Sequence, residues 1–404
     1  MEILLAVFSL LGFTLVLSTG VFTGYLALLT GAAIVGHPRR KPTGAAPPPR
    51  HRFAVVIPAH DEALTLPVLL RSLERLEYPR ELYEIVVVAD HCTDGTASLA
   101  RVGHARVLEH TEGARGGKGF ALRWAFASLL AEDRHDAFVI LDADSQPVPT
   151  LLRAFDRELQ RGAHALQGHV SVANPHESWR TALMAADVAL IYYLRPLGRQ
   201  ALGASAGLRG NGVCLTRVAL RRATWQTCSV AEDQEYHLQL VLAGGHVGFV
   251  PDAVVATVME PTFEAAENQE LRWEGGRLEI ARAYLPALLR AAVRLRSWTC
   301  LDAALDLATP PFALLAAGTT LMATAHAIAW LAGGPFAPAA CWGGLLVAQT
   351  FYALAGCALA GVPARTYLAL IYCAPRYVLN KVAVCARVTR RGRAEWTPTG
   401  RRAI

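Results

Sequence analysis

The stretch Phe138-Val-Ile-Leu-Asp142-Ala-Asp144 decides the fold class of this chain. Four apolar residues in a row, closed by two carboxylates, are typical of a buried parallel strand that ends at a polar edge. Two earlier stretches have the same form, Phe53–Pro58 and Ile85–Asp90. Segments with helical spacing, such as Leu66–Leu76, alternate with these strands. Alternating strands and helices predict an α/β domain with a mostly parallel sheet.

The carboxylates that follow these strands are the first candidates for a site. Ligands of open α/β sheets bind beyond the carboxyl ends of the strands, where Asp90, Asp142 and Asp144 are predicted to meet. Alternate residues of a strand point to the same side, so Asp142 and Asp144 are expected to converge. Mg²⁺ and Mn²⁺ prefer such oxygen ligands and often complete their coordination with substrate phosphates. The sequence therefore predicts a divalent-cation site that receives a phosphorylated ligand.

Four further motifs lie in order around this pair. They are Pro58-Ala-His-Asp-Glu62, Gly116-Gly-Lys118-Gly119, Ala231-Glu232-Asp233 and Gln269-Glu-Leu-Arg272-Trp273. Together with Asp90 and the two aspartates, they resemble the membrane-bound family 2 glycosyltransferases over about residues 50–300. That group includes cellulose, hyaluronan and poly-N-acetylglucosamine synthases and ceramide glucosyltransferases. The resemblance implies a GT-A type nucleotide-sugar-binding domain, a UDP-sugar donor, and metal-dependent transfer with inversion at the anomeric carbon.

The resemblance assigns most of these residues to the donor and its metal. Nucleotide- and donor-binding residues are expected at Pro58, Glu62, Asp90, Lys118, Asp142, Gln269 and Arg272. Asp144 is the expected direct ligand of Mg²⁺ or Mn²⁺, and Asp142 is expected to contact the metal or the ribose. From the residues alone, Glu62 could instead cap the next helix, because a carboxylate at a helix start can accept its free N–H groups.

The same resemblance assigns the acceptor side. Asp233 is the expected general base, which takes the proton from the acceptor hydroxyl, although Ala231 replaces the threonine of the family motif. Acceptor contacts are expected at Glu232, Trp273 and Asn211. A carboxylate pair at a helix start, stabilised by the helix dipole, is the structural alternative for Glu232 and Asp233. The glycine-rich loop around Asn211 could equally be a connector.

The composition indicates a membrane protein. Hydrophobic residues make up 53% of the chain and charged residues only 18%, against about 25% charged residues in soluble domains. The net charge is +6, and basic residues flank the apolar segments, which favours anionic lipid headgroups over nucleic acid as partners. The eight cysteines form no C-x-x-C pair, so a reduced, cytosolic domain without a zinc or redox motif is expected. Lone His237 and His246 are expected to be structural.

Three apolar segments are predicted to span the membrane. Ile3–Gly36 is uncharged, and it is too long for the core of a signal peptide. It is expected to form one long helix, with a hairpin near Ser18–Gly20 as the alternative. Leu307–Ala332 and Ala337–Ala360 are expected to form a hairpin. Basic residues between 37 and 52 then place the central domain in the cytosol by the positive-inside rule.

Two segments mix arginine with apolar residues. Leu278–Trp298 is expected to lie at the membrane interface, with a soluble surface helix as the alternative. Tyr367–Cys385 is expected to be interfacial as well, because spanning the membrane would bury Arg376 and Lys381 at about 2.5–3.5 kcal/mol each.

These segments predict the following organisation of the chain. It comprises an N-terminal transmembrane helix (1–37), a basic, proline-rich linker (38–51), the GT-A domain (52–277), an interfacial helix (278–302), a transmembrane hairpin (303–362), and an interfacial helix with a basic cytosolic tail (363–404). The catalytic domain is thus expected to be tethered to a bacterial-type plasma membrane on its cytosolic face.

The expected activity is transfer of a sugar from a UDP-sugar to a hydroxyl of a lipid or lipid-linked saccharide. A processive β-polysaccharide synthase is the alternative, although three spans are few for a polymer channel. A non-catalytic scaffold of the same fold is less favoured, because every acidic position that the chemistry needs is present. The sequence leaves the sugar, the acceptor and the oligomeric state open.

Overall fold

A computed structural model describes residues 2–37, 47–113, 116–227 and 229–391. Residues 38–46 of the predicted linker and residues 392–404 of the predicted basic tail lie outside the described residues. The described chain consists of a sheet domain, helices that surround the sheet, and long apolar helices at both ends of the sequence.

Eight strands in this part of the chain form one mixed sheet. They are β1 (Phe53–Ala59), β2 (Tyr83–Asp90), β3 (Arg106–His110), β4 (Ala137–Ile140), β5 (Ser145–Pro147), β6 (Ala165–Val172), β7 (Val213–Thr216) and β8 (Gly248–Thr257). The order across the sheet is β3-β2-β1-β4-β7-β6-β8-β5. β1 to β4 run parallel, β7 is antiparallel to both neighbours, and β5 is antiparallel to β8. The predicted α/β class with a mostly parallel sheet is confirmed.

The continuous apolar runs of the sequence have a direct structural reason. Val55 and Ile57 of β1 face one hydrophobic core, whereas Ala54 and Val56 face the core on the opposite side of the sheet. A strand covered on both faces cannot alternate apolar and polar residues, and parallel sheets are covered in this way. β1 lies between β2 and β4 with Phe53 in register with both Tyr83 and Ala137, so the three strands end at a common edge.

Helices cover this sheet and position its loops. They are α2 (Leu66–Leu73), α3 (Thr96–Val102), α4 (Lys118–Ala131), α5 (Leu151–Gln160), α6 (Trp179–Ala189), α7 (Arg195–Ala201), α8 (Arg217–Arg222) and α9 (Glu232–Leu242), with a π-helical turn at Leu190–Leu194 between α6 and α7. α4 and α9 begin at the edge where the parallel strands end, so their N-termini face the same space as Asp90 and Asp142.

The N-terminal segment is a single helix, α1 (Glu2–Gly36), and not a hairpin. Three helical segments in the described chain are long and apolar enough to cross a membrane: Leu15–Gly36, α12 (Phe312–Leu331) and α13 (Phe336–Ala360). α1 packs against α7 and α13. The approach to α7 is close, because a Cβ on Gly198 would lie 2.3 Å from the carbonyl oxygen of Leu29. The sheet domain is therefore packed directly onto the first span.

The region after the sheet domain differs in detail from the sequence prediction. One 32-residue helix, α10 (Phe263–Arg294), runs through the predicted boundary at residue 277 and includes most of the predicted interfacial segment. α11 (Trp298–Ala308) then ends before Pro310, and α12 begins at Phe312. The predicted span Leu307–Ala332 is shortened at its start, because the residue before a proline is driven out of the helical region.

The last described segment is a bent pair of helices, α14 (Ala364–Tyr372) and α15 (Ala374–Arg391), which meet at 71°. Taken together, the two helices are long and apolar enough to cross a membrane a fourth time. Lys381 of α15 is buried and its Nζ lies 2.8 Å from Glu274 Oε1 of α10. The interior of the protein thus accommodates this lysine, since a buried charge needs a close partner of opposite sign.

Candidate active site

A cavity of about 1070 Å³ lies at the strand ends between the sheet, α9, α10 and α11. Its lining includes every residue that the sequence assigns to the site: Pro58, Glu62, Asp90, Lys118, Asp142, Asp144, Asn211, Glu232, Asp233, Gln269, Arg272 and Trp273. These residues are spread over more than 200 positions of the sequence. The fold brings them together because the carboxyl ends of β1, β2 and β4 meet at one edge.

The two aspartates after β4 lie in a turn and not in a strand. β4 ends at Ile140, and the N–H of Ser145 donates to the carbonyl of Asp142 at 3.0 Å. The expectation that strand alternation would bring Asp142 and Asp144 together was therefore wrong. Both carboxylates still line the cavity, because the closed turn replaces the strand in directing them there.

Asn211 supports this turn. Its Oδ1 accepts hydrogen bonds from the Asp142 N–H at 3.3 Å and the Ser145 hydroxyl at 3.1 Å, and its Nδ2 donates to Thr257 Oγ1 at 2.9 Å. The side chain is 4% exposed. The sequence predicts an acceptor contact for Asn211. In the structure Asn211 lines the cavity, and its amide joins the aspartate turn to β8.

Lys118 connects the aspartate turn to the glutamate–aspartate motif. Its Nζ lies 2.5 Å from Asp142 Oδ1 and 3.8 Å from Glu232 Oε1, and it donates to the carbonyl of Gly210 at 2.7 Å. Burial disfavours its charge, but Asp142, Glu232 and Asp233 outweigh burial and raise the pKa of Lys118. The ammonium group therefore stays charged in the centre of the acidic part of the cavity.

Glu232 and Asp233 are the first two residues of α9. A Cβ on Gly210, whose φ is +77°, would lie 3.2 Å from Asp233 Oδ2, so the glycine lets the loop pack against this carboxylate. Burial raises the pKa of Glu232 to about 7, with Lys118 opposing this shift and Asp233 adding to it. Burial also raises the pKa of Asp233. A carboxylate whose pKa is raised accepts a proton more readily, which suits Asp233 for the part of a general base.

Asp90, at the end of β2, sits among histidines. Its Oδ1 lies 2.9 Å from His91 Nδ1 and 2.8 Å from His110 Nδ1, and its carbonyl lies 2.7 Å from His60 Nδ1. The Trp124 ring packs beside His110 with centroids 5.0 Å apart. Sequence reasoning missed these histidines, although His110 ends β3 and could have been found by the same strand-end rule that selects Asp90.

Pro58, near the end of β1, and Glu62, in the loop after it, both line the cavity. Glu62 is buried, accepts a hydrogen bond from Thr65 Oγ1 at 2.7 Å, and its carbonyl accepts from the N–H of Leu66 at 2.9 Å. Its N–H donates to Thr96 Oγ1 at 2.8 Å. Glu62 thus holds the start of α2 and also lines the cavity. A role at the start of the helix is therefore compatible with a place in the site.

The glutamine–arginine–tryptophan motif lies on α10. Gln269, Arg272 and Trp273 face the cavity, and the Trp273 side chain is 36% exposed. Glu270 points away from this face and is paired with Arg180 of α6 at 2.6 Å. A helix places residues i, i+3 and i+4 on one face, which explains why the motif skips Glu270.

The cavity also has a second part that the sequence motifs do not reveal. We call the residues Asp90, Lys118, Asp142 and Asp144 the strand-end half, and Arg195, Arg209, Arg277 and Asp306 the arginine half. All eight line the same cavity. The arginine half comes from α7, the Gly207–Gly212 loop, α10 and α11. In a chain with many arginines, no spacing signal distinguishes these three from the others.

The lone histidines have structural partners. His237 Nε2 lies 3.0 Å from Ser205 Oγ, and His246 Nε2 lies 3.0 Å from the carbonyl of Ala204. Neither belongs to a cluster of metal-ligating side chains among the residues that the structure describes.

The donor set of the aspartate turn suits Mg²⁺ or Mn²⁺. It offers carboxylate oxygens from Asp142 and Asp144, and one oxygen of Asp142 is engaged by Lys118. Mg²⁺ is commonly bound through one or two carboxylates and completes its shell with substrate phosphates and water. A metal held chiefly by Asp144 and the substrate fits the residues that are present.

Residues 48–276 match the model of the family described as "Glycosyltransferase like family 2". The chain belongs to this family. Its sheet domain is a GT-A glycosyltransferase fold, with long apolar helices that could span a membrane. The resemblance seen in the motifs is therefore confirmed.

Curated relatives of the chain are glycosyltransferases. A probable glycosyltransferase YdaM of Bacillus subtilis is 24% identical over 243 residues, which cover 58% of this chain and 57% of the relative. A beta-monoglucosyldiacylglycerol synthase of Synechocystis is 28% identical over 266 residues, which cover 63% of this chain and 54% of the relative. The chain thus spans little more than half the length of these relatives.

Solved structures with similarity include the mannosyltransferase PcManGT from Pyrobaculum calidifontis in complex with GDP-Man and Mn²⁺. It is 19% identical, with a TM-score of 0.49, over 93% of this chain and 98% of that chain. Another is glucosyl-3-phosphoglycerate synthase from Mycobacterium tuberculosis in complex with Mn²⁺, UDP-Glc and phosphoglyceric acid. It is 21% identical, with a TM-score of 0.37, over 55% of this chain and 78% of that chain.

Proposed function

We propose that the protein is an inverting glycosyltransferase that moves a sugar from a UDP-sugar to a hydroxyl of a lipid or lipid-linked saccharide at the cytosolic membrane face. The observation that carries the proposal is the single cavity that holds all the motif residues and also reaches α6 and α11. α6 packs against the spanning helix α13. A donor bound at the strand ends and an acceptor from the membrane could therefore meet in one space.

The strand-end half is suited to the nucleotide diphosphate. Asp144, with Asp142, would hold Mg²⁺ or Mn²⁺, which supplies Lewis-acid stabilisation of the leaving diphosphate. Lys118 and Arg272 both line the cavity and offer cations for the phosphate oxygens, with arginine able to bind two of them at once. Asp90, at the end of β2, is in a position to contact the base.

Asp233 is the proposed general base. It takes the proton of the acceptor hydroxyl while that oxygen attacks the anomeric carbon and the bond to the diphosphate breaks. A single displacement inverts the anomeric carbon, so an α-linked donor gives a β-linked product. Buried Glu232 and cationic Lys118 lie beside Asp233. The charges of these two neighbours therefore influence how readily Asp233 takes up a proton.

The wall towards α13 supports a lipid acceptor. Met184 and Val188 of α6, together with Ile191, add apolar side chains to the lining of the cavity. Relatives named beta-monoglucosyldiacylglycerol synthase agree with an acceptor of this kind. Repeated transfer to form a β-polysaccharide is the second candidate, and the three to four possible crossings of the described chain favour single transfer.

The cytosolic orientation rests on charge and on the hairpin. α12 and α13 together return the chain to the side from which it entered, so α11 and α14 lie on the side of the sheet domain. Arg50 and Arg52 flank that domain, and basic residues near a span are retained on the cytosolic side.

Product analysis by mass spectrometry tests the proposed function. Purified protein in lipid is given Mg²⁺ or Mn²⁺, a panel of UDP-sugars and host lipid extract, with the Asp233→Asn variant as the matched inactive control. Organic-phase material heavier by one sugar is the expected product. A water-soluble ladder spaced by one sugar would show a polymer synthase, and retained UDP binding without any product would favour the non-catalytic scaffold.

A further inference from the structure

The arginine half contains more positive than negative charge. Four guanidinium groups share two carboxylates in this region. The guanidiniums are those of Arg195, Arg199, Arg209 and Arg277, and the carboxylates are those of Asp302 and Asp306. Asp302 is committed to Arg199, which lies behind the cavity wall, with Nε to Oδ2 at 2.7 Å. Asp306 is therefore the main counter-ion left for the guanidiniums that line the cavity.

Asp306 serves several arginines, each at moderate distance. Its carboxylate oxygens lie 3.6 Å from Arg195, 3.2 Å from Arg199 and 3.3 Å from Arg209. The arginines together hold the pKa of Asp306 far below its usual range despite burial. Its hydrogen bonds from Arg199 and Arg209 both go to Oδ2. A single negative charge is thus shared among three guanidinium groups, each of which carries a full positive charge.

Arg277 lines the same wall without a carboxylate of its own. Within the described ranges, no carboxylate oxygen lies within 4.0 Å of its guanidinium. Glu274 is the carboxylate that most favours the charged form of Arg277. It is already paired with Lys381, with Nζ 2.8 Å from Oε1. Burial lowers the pKa of Arg277, and Arg195 and Arg209 add to that shift. Arg277 therefore carries a charge that an incoming anion would stabilise.

Asp187 of α6 is a further acidic residue that lines the cavity. Burial raises its pKa, and Lys381 opposes that shift. Among the described residues Asp187 forms no ion pair with an arginine at 4.0 Å or less, so it does not neutralise these guanidinium groups at contact distance.

Arg209 connects the arginine half to the proposed base. Its side chain is 9% exposed. In the part of the chain that the structure describes, no acceptor forms a hydrogen bond with its buried Nε. The next residue, Gly210, packs against Asp233 Oδ2 and gives its carbonyl to Lys118. The positive charge of Arg209 also lowers the pKa of Asp233, against the effect of burial. An anion at Arg209 would therefore lie beside the hydroxyl that Asp233 activates.

We propose that the arginine half binds a phosphate ester of the acceptor, so that the acceptor is an acidic lipid with a hydroxyl close to its phosphate. This inference rests on the proposed function and specifies its substrate class. Guanidinium forks bind phosphate oxygens in pairs. The diphosphate of the donor has its own cations in Lys118 and Arg272, so the arginine half is left for a second anion.

Fractionation of the natural acceptor tests this assignment. Host lipid extract is separated by anion exchange into neutral, zwitterionic and acidic lipids, and a water-soluble fraction is kept. Each fraction is incubated with the full-length enzyme in a detergent micelle, the metal and the labelled donor. Label that enters the acidic lipid fraction, with a mass gain of one sugar on a phosphorus-containing lipid, is the expected result.

The other fractions give contrary outcomes that can be told apart. Label confined to neutral or zwitterionic lipid would overturn the acidic acceptor while leaving the proposed function intact. Label on a soluble phosphate ester would keep the anion site but overturn the lipid as its source. A soluble sugar ladder would overturn both the proposed function and this inference.

The Arg277→Gln variant tests the residues themselves. The KM for the acidic acceptor should rise by about 10- to 100-fold, which corresponds to losing one hydrogen bond to a charged group. The KM for the UDP-sugar should stay within about twofold of the parent enzyme, because the donor diphosphate is assigned to Lys118 and Arg272, and sites that share no partner act nearly independently. Arg282→Gln is the matched control, since it removes the same charge from an exposed position of the same helix.

A conservative variant keeps this test informative if the first one folds poorly. Arg277→Lys retains the charge but loses the planar fork, so its acceptor KM should fall between those of the parent and Arg277→Gln. A rise in the KM for the UDP-sugar in either variant, with the acceptor KM unchanged, would assign the arginines to the donor and overturn the proposal.

Discussion

The two halves of the cavity are built in opposite ways. The strand-end half takes Asp90 from the last residue of β2, Asp142 from the turn after β4, and Lys118 from the first residue of α4. The arginine half takes its side chains from two helices, a glycine-rich loop and a helix next to the membrane spans. Backbone topology alone fixes the first set, whereas the second set exists only through the packing of distant elements.

The charges of the two halves differ as well. Carboxylates outnumber cations in the strand-end half, and guanidiniums outnumber carboxylates in the arginine half. The acidic half favours binding of a metal ion, and the basic half favours binding of an anion. Asp233 is next to Gly210, which follows Arg209 of the basic half and contacts Lys118 of the acidic half. The comparison teaches that one cavity can offer two anionic substrates different counter-ions, a metal ion held by carboxylates in one half and guanidinium groups in the other.

The arginine half depends on a buried network that reaches the first span. Arg199 Nε pairs with Asp302 Oδ2 at 2.7 Å, and the hydroxyl of Tyr25 on α1 donates to Asp302 Oδ1 at 2.9 Å. Both charged side chains are fully buried. α1, which is long and apolar enough to cross a membrane, is thus joined to the wall that holds the arginines.

Replacing the proposed base should have the largest effect. Asp233→Asn should lower kcat by about 10²- to 10⁴-fold, the usual contribution of a general base. UDP binding should remain, because the side chain keeps its size at the start of α9. Steady-state kinetics and UDP titration check both statements. Asp252→Asn, at a position whose side chain is 61% exposed, should leave the rate unchanged; a normal rate for Asp233→Asn itself would refute the assignment.

Breaking the network behind the arginine half should have the largest effect on stability. Asp302→Ala leaves Arg199 buried without its closest partner, which should cost about 3–5 kcal/mol in the free energy of unfolding. Thermal unfolding in detergent should show a lower midpoint. The double change Arg199→Met with Asp302→Leu should recover most of the loss, since it removes both charges. Equal stability of the single and double variants would contradict this account.

The metal requirement should separate the two aspartates and the two halves. Asp144→Asn should raise the Mn²⁺ concentration needed for half-maximal UDP binding by more than about tenfold, the lower bound known for losing even an outer-shell partner of a metal. Asp142→Asn should have a smaller effect, because one of its oxygens already pairs with Lys118. Calorimetric titration of UDP at several metal concentrations measures this. Arg277→Gln should leave the requirement unchanged, and a shared shift would show that the halves are coupled.

The pH dependence should show the smallest effect. Burial raises the pKa of Glu232 to about 7 and raises that of Asp233, and transfer needs ionised Asp233. Because both raised pKa values favour the protonated forms at lower pH, kcat/KM should rise as pH increases through the raised pKa of Asp233 and then level off. Glu232→Gln removes a neighbouring negative charge, so the rising limb should move to lower pH by up to about one unit. A limb that moves to higher pH would argue against this coupling.

Much of the fold and of the strand-end half follows from sequence. The runs before Asp90 and Asp142 predict strands, and strand ends predict a common edge, because the pattern and the chemistry are both local. The uncharged run Ile3–Gly36 likewise predicts a long apolar helix. What failed was the local geometry: the aspartates line the cavity from a turn closed by Ser145 and supported by Asn211, a residue far along the chain.

The sequence by itself determined the family, the α/β class, the apolar helices and the set of residues gathered around the strand ends. Tertiary structure alone decided that Lys118 bridges two motifs, that Asn211 supports the aspartate turn, and that Arg195, Arg209 and Arg277 form one wall. The physical reason is range. Strand ends and helix faces are set by neighbours along the chain, whereas the charge balance of a buried wall depends on which distant side chains the packing brings within a few ångströms.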